Sequence, residues 1–173
     1  WHHAVAAEDP SRGDDRTVSH SAPRYASNDG VVDAAREALG VDLLDAVEAN
    51  GEIALTVRRE ELLGCMMQLR DTLDYQQLME IAGVDYPDRA ERFEVVYMLL
   101  SVTKNHRIRV HVWTNEDQPV PSVTGIWPVA GWLEREVFDL YGVIFEGNAD
   151  FNGVTHSANA RGLNVNDDRF FRP

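Results

Sequence analysis

Apolar and polar positions alternate along this chain with two different periods. From Val31 to Gly40, Val32, Ala35 and Leu39 recur at helical spacing, which predicts a helix capped by Asn28 or Asp29 and stopped by Gly40. Val41 to Ala49 is ambiguous by period alone. Asn50-Gly51 resolves it, because that dipeptide between alternating segments favours a two-residue type I′ hairpin joining LLDAVEA to EIALTV. Helical spacing returns from Arg59 to Leu73, where Leu62, Met66, Leu69 and Leu73 share a face. The period then shortens. LMEIAGVDY and FEVVYMLLSV read as strands, and RIRVHVWT sets Ile108, Val110 and Val112 inward against Arg107, Arg109 and His111 outward, with Lys104-Asn105-His106 as the turn of a hairpin.

Two prolines, Pro119 and Pro121, follow in NEDQPVPSVTGIWP and predict an extended loop over the sheet, without regular ladder pairing at their positions. The last patterned stretch, WPVAGWLEREVFDLYGVIFEG (Trp127 to Gly147), predicts a helix from near Pro128. Its three-and-four spacing places Trp132, Val137 or Phe138, and Tyr141 near one stripe, with Glu134, Arg135 and Glu136 on the flank. So many aromatics close together point to a core edge or a partner surface. Helix, two strands, helix, three strands, helix is an α+β order: one domain with a mixed or antiparallel sheet and packed helices. Before it, residues 1–30 read as a flexible arm; after it, residues 151–173, rich in Asn, Gly and Asp, read as an irregular tail. The chain opens at Trp1 rather than Met, which reads as a fragment or a processed product.

Composition narrows the function. With 173 residues, 44% of them hydrophobic, the chain can bury a core of its own. A formal charge of -13 disfavours nucleic acid and anionic lipid surfaces, and neutral or basic protein partners fit better. No run approaches the ~18 apolar residues that cross a bilayer. Cys65 is the single cysteine, so an internal disulfide or a cluster held by the usual set of thiolates is not available, and its apolar neighbours make it a buried thiol. The glycines form no nucleotide loop, and the six histidines lack zinc spacing and read as ordinary solvated imidazoles. Glu136 and Asp139 share an i,i+3 face and would be the pair for a small hydrolase. The interleaved Arg135 argues against it, since a neighbouring cation lowers the carboxyl pKa that general-acid work needs raised. Asp85 and Asp88 around Pro87 read as turn chemistry.

Glu134-Arg135-Glu136 followed by Asp139, Tyr141-Gly142 and Phe145 resembles the signature of the C-subunit family of proton-pumping NADH-quinone oxidoreductase, respiratory complex I. GVDYPDRAERFEVVYMLLS (Gly83 to Ser101), Arg107 to Pro128 and NGEIALTVRREELL (Asn50 to Leu63) resemble the same family in the same order, over about residues 31–150. After Phe-x-Gly the family continues with a basic arm, where this chain reads NADFNGVTHSANARGLNVNDDRFFRP. The resemblance implies a non-redox structural subunit of the peripheral arm that packs against the quinone-site subunit. It carries no cofactor, catalytic residue or metal site of its own; FMN and iron–sulfur clusters belong to partner subunits, and NADH-to-quinone electron transfer to the assembly. It further implies a peripheral position on the cytoplasmic face of a bacterial inner membrane, or the matrix side of the mitochondrial inner membrane in a eukaryote. Interface candidates are Trp132, Glu134, Arg135, Glu136, Asp139, Tyr141 and Phe145. The alternative is a stand-alone acidic protein-interaction domain of the same fold.

Overall fold

The structure, a computed structural model, describes residues 26–149. Helix α1 (Val31–Leu39) and a short 3-10 turn lead into the hairpin β1 (Leu43–Ala49) and β2 (Glu52–Val57); then come α2 (Leu62–Asp71), β3 (Gln77–Asp85), β4 (Phe93–Ser101) and β5 (His106–Thr114). A two-residue strand β6 (Val120–Pro121), helix α3 (Ala130–Tyr141) and β7 (Phe145–Glu146) complete it. Five strands form one sheet in the order β1-β2-β5-β4-β3, with β2 and β5 parallel and the other neighbours antiparallel. The sheet is therefore mixed, and the fold is α+β. Asn50 and Gly51 both take positive φ (54° and 77°), as a type I′ turn requires.

Cross-strand register builds the core. Ile53 lies opposite Ile108, and Ile108 opposite Leu99; Leu55, Val110, Tyr97 and Ile81 form the next row, and all are buried. Ala35 and Leu39 of α1 and Leu62, Cys65, Met66 and Leu69 of α2 join the same core. Each wholly buried Leu, Ile or Val contributes roughly 1.5–3 kcal/mol. Helix α3 closes the β3 end of this face. Its Tyr141 and Val137 lie over Gly83, where a Cβ would stand 2.6 Å from Tyr141 Cδ2, so the close approach requires glycine there. Gly142, with φ 76°, ends the helix by donating its N–H to the Phe138 carbonyl.

Three local expectations change. Gly30, not Asn28 or Asp29, caps α1, because the Asn28 side chain is engaged elsewhere. The loop carrying both prolines does pair: Val120 and Ser122 donate N–H bonds of 2.8 Å to the carbonyls of Ile144 and Glu146, making β6 a parallel neighbour of β7. In a parallel ladder alternate residues face the partner, so Pro121, lying between the two donors, has no N–H to lose. Residues 26–30, inside the expected arm, are bonded to the body, Ala26 through its N–H to the Asn105 carbonyl at 3.2 Å. The rest of the arm and the expected tail lie outside the described residues.

Candidate interface on helix α3

The sequence-predicted candidates separate onto opposite sides of α3. Ala130, Glu134 and Val137 are buried, at i, i+4 and i+7, and Tyr141 extends the same side over β3. The opposite side carries Val129, Trp132 and Leu140, which are 52%, 82% and 68% exposed, together with exposed Glu136. Trp132 therefore does not share the stripe of Val137 and Tyr141. Phe145, in β7, is wholly buried and belongs to the core.

Glu134 is the largest correction. It lies not on a flank but in the interior, wholly buried and held by neutral donors. Ser122 Oγ donates to its Oε2 at 2.8 Å, Asn148 Nδ2 donates to the same oxygen at 2.8 Å, and the Val123 N–H donates to Oε1 at 2.8 Å. One carboxylate thus ties α3 to the segment after β6 and to the segment after β7. Burial pushes its carboxyl above the ordinary glutamate range, against the opposing pull of those three donors. The Tyr97 phenol is pushed well above its ordinary value by burial and then by the negative charge of Glu134.

Arg135 pairs with an acid one turn along its own helix. Its Nε donates to the Asp139 carboxylate at 2.9 and 3.0 Å, an i,i+4 pair with both side chains about half exposed. Glu136 is exposed and Asp139, about half exposed, is paired with Arg135, an arrangement of solvated ion pairing rather than of a desolvated carboxylate pair. Asp85 accepts a fork from Arg92, whose hydrogen bond holds the Asp85 carboxyl below its usual range. Burial pushes the Cys65 thiol up to about 11, which makes it inert.

Two histidines are structural rather than solvated. His106 is buried, and Asn28 Oδ1 accepts its Nε2–H at 2.8 Å. Asn28 Nδ2 is spent on Glu48 and the Gly51 carbonyl, so His106 Nδ1 is left to accept the Tyr75 hydroxyl at 2.7 Å. Burial, then Lys104, lowers the His106 pKa and keeps it neutral. His111 is half-buried, with Nδ1 2.7 Å from Glu94 Oε1. His2, His3, His20 and His156 lie outside the described residues. No helix among those residues is long and apolar enough to cross a membrane.

Residues 55–162 match the family model described as "Respiratory-chain NADH dehydrogenase, 30 Kd subunit", later at both ends than the span of the motif resemblance. The C-subunit of NADH-quinone oxidoreductase from Erythrobacter litoralis is 62% identical over 137 residues, covering 79% of this chain and 55% of that protein. Its counterpart from Novosphingobium aromaticivorans is 57% identical over 138 residues, covering 80% and 45%. The chain spans about half the length of these curated relatives. Among solved structures, the trypsin-resistant fragment (1-134) of Nqo5 superposes with a TM-score of 0.60 at 32% identity, over 68% of this chain and 94% of that one. A chain of the membrane-bound sulfane sulfur reductase, an archaeal respiratory membrane complex, shares the fold with a TM-score of 0.60 at 24% identity, over 68% and 69%.

Proposed function

The chain belongs to the family of the respiratory-chain NADH dehydrogenase 30 kDa subunit, and from that premise we propose that it is a non-redox structural subunit of the peripheral arm of NADH-quinone oxidoreductase. It packs against the quinone-site subunit and supports electron transfer from NADH to quinone by the assembly, without catalysing a step itself. FMN and iron–sulfur clusters reside in partner subunits, a reading supported by the single, buried cysteine of this chain. The complex holds the chain peripherally at the cytoplasmic face of a bacterial inner membrane.

The observation that carries the contact is Trp132, 82% exposed on a helix whose inner face is fully engaged. An aromatic of that size left in water, with Val129 and Leu140 along the same side, has the composition of an interface anchor, and Glu136 and the Arg135–Asp139 pair supply a polar rim. Tyr141 takes no part, since its ring is spent on Gly83. The test is reconstitution of the chain with the quinone-site subunit, comparing the natural chain with Trp132→Ala. Truncation of an anchor costs ~2 kcal/mol or more, about thirtyfold in affinity. Equal affinity of the two would remove α3 from the contact.

A further inference from the structure

A second surface lies at the other end of the sheet. β1 is an edge strand, and β3, which α3 packs against, is the opposite edge. The two-residue turn makes Ala49 and Glu52 a bonded pair, so Val47 and Asp45 also face β2, while the backbone groups of Ala46 and Glu48 face outward. Among the described residues the Ala46 N–H accordingly finds no strand, and it donates to the Asp45 side chain at 2.8 Å. Beside this edge runs a groove between α1 and β1, about 360 Å³ at the end lined by Asp33 and Glu48 and about 450 Å³ at the end lined by Gly40 and Leu44. Leu44 and Val47 are exposed large apolar side chains on the strand itself.

We propose that this edge and groove take an extended, basic segment of a partner polypeptide, added to the sheet as a sixth strand. Outward backbone groups supply main-chain pairing, and Leu44 and Val47 supply apolar contacts for alternate side chains. Charge selects the occupant. Among the described residues, Asp29, Asp33, Asp45 and Glu48 line the strip against a single cation, Arg36, which is itself 3.6 Å from Asp33. Two copies of this edge would bring like charges together, which disfavours a dimer, whereas lysines or arginines alternating with apolar residues complement it. Because the sheet order sets β1 and α3 at opposite ends, the chain would bridge two partners.

The test uses the full isotope-labelled chain with an acetylated peptide of alternating valine and lysine, followed by amide NMR. The expected result is perturbation and exchange protection at the Ala46 and Glu48 amides. Binding should weaken about fivefold or more in the double variant Asp45→Asn, Glu48→Gln, which keeps both side-chain hydrogen bonds and removes two charges. It should be unchanged in Trp132→Ala, which separates this surface from the α3 contact. Equal binding of a valine–glutamate peptide, no perturbation at β1, or an unchanged affinity in the double variant would overturn the proposal. So would protection of the same amides by a second copy of the chain at high concentration.

Discussion

The inner side of α3 buries a carboxylate and the outer side exposes a tryptophan, the reverse of what an amphipathic helix does with such residues. The two departures have different physics. Glu134 is tolerated inside because three donors, each at 2.8 Å, replace the water it gives up, and those donors tie the segments after β6 and β7 to the helix. Nothing within the described residues compensates the exposure of Trp132. The first departure is resolved inside the chain; the second is resolved, in the proposed function, by a partner. Within one short signature, then, the charged residue is the internal pin and the large apolar one faces outward.

The largest effect expected is on the inner side. Glu134→Ala removes the acceptor from Ser122, Val123 and Asn148 and leaves a cavity, so the fold should lose about 3 kcal/mol, measurable by urea denaturation. Glu134→Gln keeps an acceptor for the Val123 N–H and should cost far less. The same pair sharpens the reading through pH. A carboxyl raised in the fold binds its proton more tightly there, so its contribution favours folding at acid pH and fades as pH rises from the 4.5 of an ordinary glutamate through the raised folded value. Above that window the fold carries the whole cost of the buried charge. Glu134→Gln does not titrate and should flatten that part of the stability profile; an identical slope in the variant would mean that other carboxyls set it.

Gly83→Ala should come next, at about 2 kcal/mol, since the added Cβ would lie 2.6 and 2.8 Å from ring atoms of Tyr141 and 3.1 Å from Val137. Replacing Tyr141 by leucine in the same chain should return part of the loss, as expected when one contact causes it. A calorimetric loss that Tyr141→Leu does not reduce would place the strain elsewhere in β3.

Most of the architecture was legible because long strands and helices repeat a period: Ile108, Val110 and Val112 alternate inward as read, and Asn50-Gly51 turns as that dipeptide does. The phase of α3 was not legible. Size alone argued for turning Trp132 inward, yet the helix is rotated by the fit of Tyr141 on Gly83 and by partners of Glu134 that lie before and after the helix, facts that a window of local spacing does not contain. His106 was missed for the same reason. Its turn position suggested solvent, whereas Tyr75 and Asn28, far away in sequence, enclose it. The β6–β7 pairing escaped because two prolines hid a two-residue ladder whose donors lie on either side of Pro121.

The smallest effects on stability, and the sharpest test of the comparison, belong to the outer side. Arg135→Ala removes an i,i+4 pair with both partners about half exposed, worth about 0.3–0.5 kcal/mol to the helix. Trp132→Ala removes a side chain the fold scarcely touches and should change stability by no more than about 0.5 kcal/mol. Both variants should nevertheless weaken assembly with the quinone-site subunit, Trp132→Ala more than Arg135→Ala, because burial against a partner begins from a mostly exposed indole at Trp132 while the guanidinium already has an acceptor in Asp139. Melting temperature and partner affinity measured on the same preparations decide it. If Trp132→Ala melts well below the natural chain, the indole is packing within the fold and the division between the two faces collapses. If it melts normally and still assembles normally, the outer face is only a solvated one.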